Sequence, residues 1–139
     1  MDDFRSQLSA LIDEIVAAGQ EPSFLVADLC GIERIKQAHG DESFDTFRAA
    51  TVDAITSAGH GCDAFTYGDD RVVAVLVGFS RIQTFSMIDK LSRTLPLLAQ
   101  SFDCMLALQF DILEYDANDG AGGIILQLVR KPRLQADAA

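Results

Sequence analysis

The chain predicts an α+β fold, a mostly antiparallel sheet flanked by helices, and three observations carry that prediction. The run Ser23-Phe24-Leu25-Val26-Ala27-Asp28-Leu29 is short, continuous and apolar, as expected of a central strand buried on both faces. Two more apolar runs, ending at Thr66 and starting at Arg71, meet at Tyr67-Gly68-Asp69-Asp70 and read as a β-hairpin with the Gly-Asp pair in its turn. Segments of helical period separate these strands, giving the order α, β, α, α, β-hairpin, α, β and one ambiguous element.

Length and charge bound the rest. The chain has 139 residues, 49% of them hydrophobic, enough for one domain with a real core. We divide it into an N-terminal amphipathic helix over 1–20, a single domain over 21–132 and a frayed tail over 133–139. Eleven basic residues against 21 acidic ones leave a net charge of −10, which repels nucleic-acid phosphates and anionic membrane surfaces. No apolar run approaches the roughly 20 residues that span a bilayer, and the Met-Asp-Asp start has no leader pattern. The expected setting is the cytoplasm, with neither nucleic acid nor membrane as partner. Cys30, Cys62 and Cys104 form no C-x-x-C pair, so reduced thiols are expected, Cys104 filling core space within a strand.

Phe4, Leu8, Leu11, Ile12, Ile15 and Val16 mark the first helix, stopped by Gly19. Its stripe can cover the sheet or pair with a partner, and the sequence leaves both open. Gly31 to His39 reads as a short helix ended by Gly40. A second follows, opened by Asp41 or Ser43, with Phe44, Phe47, Thr51, Ile55 and Ala58 as its apolar stripe. Ser80-Arg81-Ile82-Gln83 has the form of a capping box for a third helix, with Ile82, Phe85, Ile88, Leu91 and Leu95 on its apolar side and Pro96 ending or kinking it. Phe102 to Tyr115 reads as a long strand, and Asp116 to Gly120 as a turn. Residues 122–131 suit a strand by their β-branched content and a helix by their length and Arg-Lys ending.

A buried strand tolerates Asp28 only if something pairs with it, and a metal ion or a helix N-terminus would serve. Asp69 and Asp70 at a hairpin tip could hold a divalent cation through oxygen, although Gly-Asp-Asp is also ordinary turn chemistry. Asp45, in a helix first turn, is explained by the helix dipole alone. His39 and His60 read as surface residues, with no second ligand at metal spacing. Gly120-Ala121-Gly122-Gly123 reads as a loop, since no Lys-Ser or Lys-Thr follows.

The order and these residues resemble the GGDEF domain family, the diguanylate cyclases, whose palm-like fold is shared with class III nucleotide cyclases. The family follows a strand aspartate with a pattern close to D-x-D-x-F-K-x-x-N-D-x-x-G-H-x-x-G-D. Residues Asp28 to Asp45 align to it without a gap, matching at Asp28, the core Ile35, Gly40 and Asp45. Tyr67-Gly68-Asp69-Asp70-Arg71 stands where the family has its Gly-Gly-Asp-Glu-Phe signature. The resemblance covers about Ser23 to Tyr115. It implies that Asp28 and Asp69 grip Mg2+ against a GTP triphosphate, that Asp45 and the residue at Lys36 receive the guanine edge, and that Gly68 lets backbone approach the nucleotide.

The departures from the family argue against that chemistry. Lys36 replaces an asparagine and carries donors only. Tyr67 replaces the first signature glycine, and its ring is expected to crowd a ligand on the hairpin. Arg71 replaces the phenylalanine, and Glu33 reverses the charge of a lysine. The opening D-x-L-T-x-L-x-N-R of the first helix is absent, and the Ser-x-Gly strand ending is Gln109-Phe110-Asp111. The late Ala-Lys-x-x-Gly-Arg segment is missing, with Arg130 or Lys131 as stand-ins. His60-Gly61-Cys62-Asp63 is a poor echo of the inhibitory R-x-x-D motif. The expectation is a degenerate, catalytically inactive GGDEF-like regulatory domain of bacterial signalling, acting on a protein partner, with GTP or another nucleotide as a further ligand and Mg2+ required only with it. The alternatives are an active or altered-specificity cyclase using Asp28 and Asp69, and a fold whose site is empty. A homodimer through the first helix is left open.

Overall fold

The computed structural model describes residues 2–130, and the tail expected over 133–139 lies outside them, as do Lys131 and the side chain of Arg130. Helix α1 (Asp2–Ala17) precedes strand β1 (Pro22–Cys30), which is buried along all but one of its nine residues. Helix α2 (Glu33–Ala58) is broken at Gly40, whose φ of 89° and ψ of 177° suit glycine alone, so the two helices expected here are joined through a kink. The stripe Phe44, Phe47, Thr51, Ile55 and Ala58 is the buried one, as its period requires.

Strands β2 (Asp63–Tyr67) and β3 (Arg71–Val77) form the hairpin. Helix α3 (Arg81–Gln100) opens with the expected capping box, Ser80 and Gln83 each satisfying the other's backbone N–H. The expected apolar face of α3 is correct only at Leu91 and Leu95 among its fully buried residues. Its core face is Thr84, Met87, Leu91, Leu95 and Ala99, one step round from the stripe read from the sequence, and Ile82 and Phe85 are 80% and 52% exposed. Of the two outcomes read for Pro96, an end is ruled out: the helix runs through it, because Leu95 and Ala99 on either side are buried and hold the last turn down.

Strand β4 (Ala107–Glu114) is shorter than the pattern from Phe102 suggested, and Cys104 fills core space before the strand begins, its Sγ 3.8 Å from the Gly31 carbonyl. The ambiguous segment is helix α4 (Gly120–Arg130), so the glycines expected in a loop form its first turn. Ile124 and Leu128 explain this: at helical spacing they bury completely while Leu126 between them is 48% exposed, whereas a strand would place all three on one face.

The sheet order is β2-β3-β1-β4 with every pair antiparallel. Alternation along β1 separates two cores. Leu25, Ala27 and Leu29 face α2 and α3, together with Val72, Ala74 and Leu76. Phe24 and Val26 face α1 and α4, joined by Val73 and Val75. Leu8 and Ile12 of α1 are fully buried in this second core, so the first helix covers the sheet. Among the described residues, no helix is long and apolar enough to cross a membrane.

Candidate functional site

Asp28 falls on the α1/α4 face of β1 by the same alternation and stands directly opposite Arg71 in the β1–β3 register. Arg71 is 1% exposed and Asp28 4%, so both charges are out of water and depend on each other. Arg71 Nε donates to Asp28 Oδ1 at 2.6 Å, and Nη2 lies 3.4 Å from Oδ2. The remaining arm, Nη1, donates to the Leu128 carbonyl of α4 at 2.9 Å. A planar guanidinium thus meets a carboxylate with one edge and a helix carbonyl with the other, a geometry that lysine could not supply.

The hairpin closes through Tyr67 opposite Arg71, leaving Gly68, Asp69 and Asp70 as its loop. Gly68 has φ of 67°, which its missing Cβ makes easy. Two bonds fix the loop from opposite sides. The Leu29 N–H donates to the Asp70 carbonyl at 2.7 Å, extending the ladder with β1, and Arg48 Nη2 on α2 donates to the Gly68 carbonyl at 3.2 Å. Asp69 is exposed at the apex. The Tyr67 ring does not crowd this loop. It lies on the α1 face, 5.0 Å from the Phe4 ring, since Tyr67 shares the strand face of Phe65.

Lys36 and Asp45 are exposed on α2. Lys36 Nζ sits 5.3 Å from the centre of the Phe44 ring, and the Arg48 guanidinium carbon 5.5 Å from the same ring. Lys36 also lies 3.9 Å from Asp41, a screened surface pair of small energetic weight.

The residues named from the sequence are therefore divided by the sheet. Lys36, Asp45 and Gly68 belong with α2 and the hairpin tip, which Arg48 ties together. Asp28 and Arg71 turn to the opposite face and to α4. Arg48 and Leu128 were invisible to sequence reasoning: Arg48 lies on no motif position, and Leu128 contributes only a backbone oxygen. Among the described residues, no three His, Cys, Asp or Glu side chains converge as a metal site.

Comparison with solved structures follows from this architecture. The GGDEF domain of DgcB from Caulobacter crescentus, solved in complex with c-di-GMP, superposes with a TM-score of 0.66 at 10% identity, covering 91% of this chain and 78% of that one. The fold is that of a GGDEF domain. A sensory box/GGDEF family protein from Caulobacter crescentus gives a TM-score of 0.59 at 18% identity over 90% of this chain and 84% of its own. The FimX GGDEF domain from Pseudomonas aeruginosa gives 0.55 at 16% identity over 96% and 90%. No family sequence profile matches the chain, and no curated protein matches it in sequence. The GGDEF likeness thus lies in the fold, with 10–18% of the aligned residues identical.

Proposed function

We propose that this GGDEF-type domain is a regulatory module of bacterial cyclic di-GMP signalling that has lost cyclase chemistry and acts in the cytoplasm through a protein partner. The observation that carries this reading is the Asp28–Arg71 pair. In the metal chemistry that the GGDEF resemblance implies, Asp28 would be a ligand. Here its two oxygens face a buried guanidinium, which a divalent cation would have to displace. The residues present do not fit Mg2+ at Asp28, so no step of the reading is routed through a metal. Lys36 supports the same conclusion, having no acceptor with which to read a guanine edge.

A second reading, a nucleotide site at the hairpin, is favoured by one feature. The Tyr67 ring is turned to α1, and Gly68 and Asp69 remain exposed, as does Asp45 on α2, the helix whose Arg48 holds the Gly68 carbonyl. A homodimer through α1 is disfavoured, since the apolar stripe of α1 is spent on the sheet.

The test is incubation of the purified chain with GTP and Mg2+ or Mn2+, with product separated chromatographically. Melting curves with GTP, ATP and cyclic di-GMP, with and without metal, run in parallel, because specific binding must raise the midpoint. We expect no cyclic di-GMP. Metal-dependent product that vanishes in Asp28→Ala would overturn the proposal, and a metal-dependent shift with GTP but no product would move it to a nucleotide sensor.

A further inference from the structure

Strand β2 ends the sheet on the side away from β4. The Leu29 N–H bonds to the Asp70 carbonyl, so these two are a bonded pair of the β1–β3 ladder, as are Ala27 with Val72 and Leu25 with Ala74. Arg71, Val73 and Val75 therefore bond towards β2, to Tyr67, Phe65 and Asp63. The N–H and carbonyl groups of Ala64 and Thr66 point outward. Among the described residues, nothing bonds to them.

This edge lies between the two helical layers. A cleft of about 430 Å³ runs along it, walled by Phe4 and Gln7 of α1 and by Val52 of α2, with Ala64, Phe65 and Thr66 as its floor. Phe65 and Tyr67 pack on the α1 side and Ala64 on the α2 side, and Thr66 shares the face of Ala64 by alternation. Edge strands are ordinarily guarded against pairing by a lysine, a proline or a bulge. Strand β2 has none of these: its register with β3 is unbroken, and Phe65, Thr66 and Tyr67 are residues that favour strands. Its one charge, Asp63, stands at its start.

We propose that β2 pairs antiparallel with β2 of a second copy of this chain, about a two-fold axis at Phe65, joining the two four-stranded sheets into one. The strand is its own complement. With the axis at Phe65, Ala64 of each copy faces Thr66 of the other, and these are the residues with outward groups, so each pair exchanges both backbone hydrogen bonds. The two Phe65 rings face each other across the axis, in a layer where Phe4 already lies 6.4 Å from Phe65. Asp63 faces Tyr67 of the second copy rather than another carboxylate, so the strand pair opposes no like charges. A register shifted by one residue sets outward groups against inward ones and loses these bonds. The axis also puts the two hairpin loops at opposite ends of the joint, so Gly68 and Asp69 of the two copies do not meet. This pairing does not rest on the loss of cyclase chemistry.

The test is sedimentation equilibrium of the full chain from micromolar to millimolar concentration, at low and high salt, with amide exchange followed over the same range. We expect a monomer–dimer equilibrium that tightens as salt rises, because each copy carries a charge of −10 and salt screens their repulsion. Thr66→Pro removes an outward N–H, leaves the β2–β3 ladder intact and should weaken the dimer at least tenfold, whereas Thr66→Val keeps that N–H and should not. In the parent chain, the Ala64 and Thr66 amides should exchange more slowly as concentration rises, a readout that stands without the proline variant. A chain that stays monomeric throughout overturns the proposal, as does a dimer that Thr66→Pro leaves unchanged. So does slow exchange at Ala64 and Thr66 in dilute solution, which would mean that the edge is covered within the single chain.

Discussion

Arg71 reaches from β3 to the carbonyl of Leu128 across 2.9 Å, so the group that neutralises Asp28 also holds the last turns of α4. The final carbonyls of a helix have no partner within it, and a cation at that end satisfies one of them and suits the helix dipole. One side chain therefore joins sheet, hairpin and helix.

Removal of that side chain should be costly. Arg71→Met leaves a buried carboxylate and a helix carbonyl without their partner, and we expect a loss of roughly 3–5 kcal/mol in urea unfolding. Asp28→Leu combined with Arg71→Met should recover most of it, because an apolar pair has no charge to compensate. Arg71→Lys should recover little and should speed amide exchange near the end of α4. Equal stability of the Lys variant and the parent would refute the bridging role.

The core face of α3 can be checked by truncation. Leu91→Ala should cost about 2–5 kcal/mol, as filled core positions do, whereas Ile82→Ala should change stability by less than about 0.5 kcal/mol because its side chain is in solvent. Similar losses at both positions would mean that α3 is rotated.

Pro96 lies inside α3 and leaves the Ser92 carbonyl without its helical N–H. Pro96→Ala restores that bond in an existing helix. The gain should be about 1–3 kcal/mol, the intrinsic penalty of proline less the extra entropy of the unfolded chain. A lowered melting temperature would mean that the ring packs usefully where it stands.

Two thiols set an alkaline limit. Burial, and then the Asp63 carboxylate, push Cys62 above its ordinary value, and burial is the largest cause of the same shift at Cys104. A native pKa raised above the unfolded one contributes stability that is complete below the unfolded value, near 8.5, and is lost as pH rises beyond it. The melting temperature should therefore fall as pH rises above about 8.5 more steeply in the parent than in a Cys62→Ala/Cys104→Ala variant. Alkylation of Cys62 at pH 8 should be slower in the folded chain than in urea.

The fold was legible where period and burial agree. The β1 run, the Arg71 to Val77 strand, the Ser80 cap and the Phe44 to Ala58 stripe needed no tertiary information. Around Ile82 and Phe85 the reading failed because hydrophobicity was taken as burial, and these two side chains are largely in solvent. Residues 122–131 stayed ambiguous because β-branched content and helix length point opposite ways, and only the packing of Ile124 and Leu128 decides. The site was half legible: Arg71 stood out as a break in the signature, but its contact with Asp28 depends on strand register, which no local pattern encodes. Arg48 acts through a backbone carbonyl and so left no mark on any motif.

The central strand has a consequence for how the chain is made. Every strand that pairs with β1 lies far downstream, β3 beginning at Arg71 and β4 at Ala107. During synthesis β1 leaves the ribosome with both apolar faces and both hydrogen-bonding edges bare, and it stays so until the hairpin arrives. Helix α1, made just before it, can cover only one of those faces. A nascent chain stalled before Arg71 should thus be the form most dependent on chaperones, and the step that ends that dependence is the arrival of the residue that pairs with Asp28.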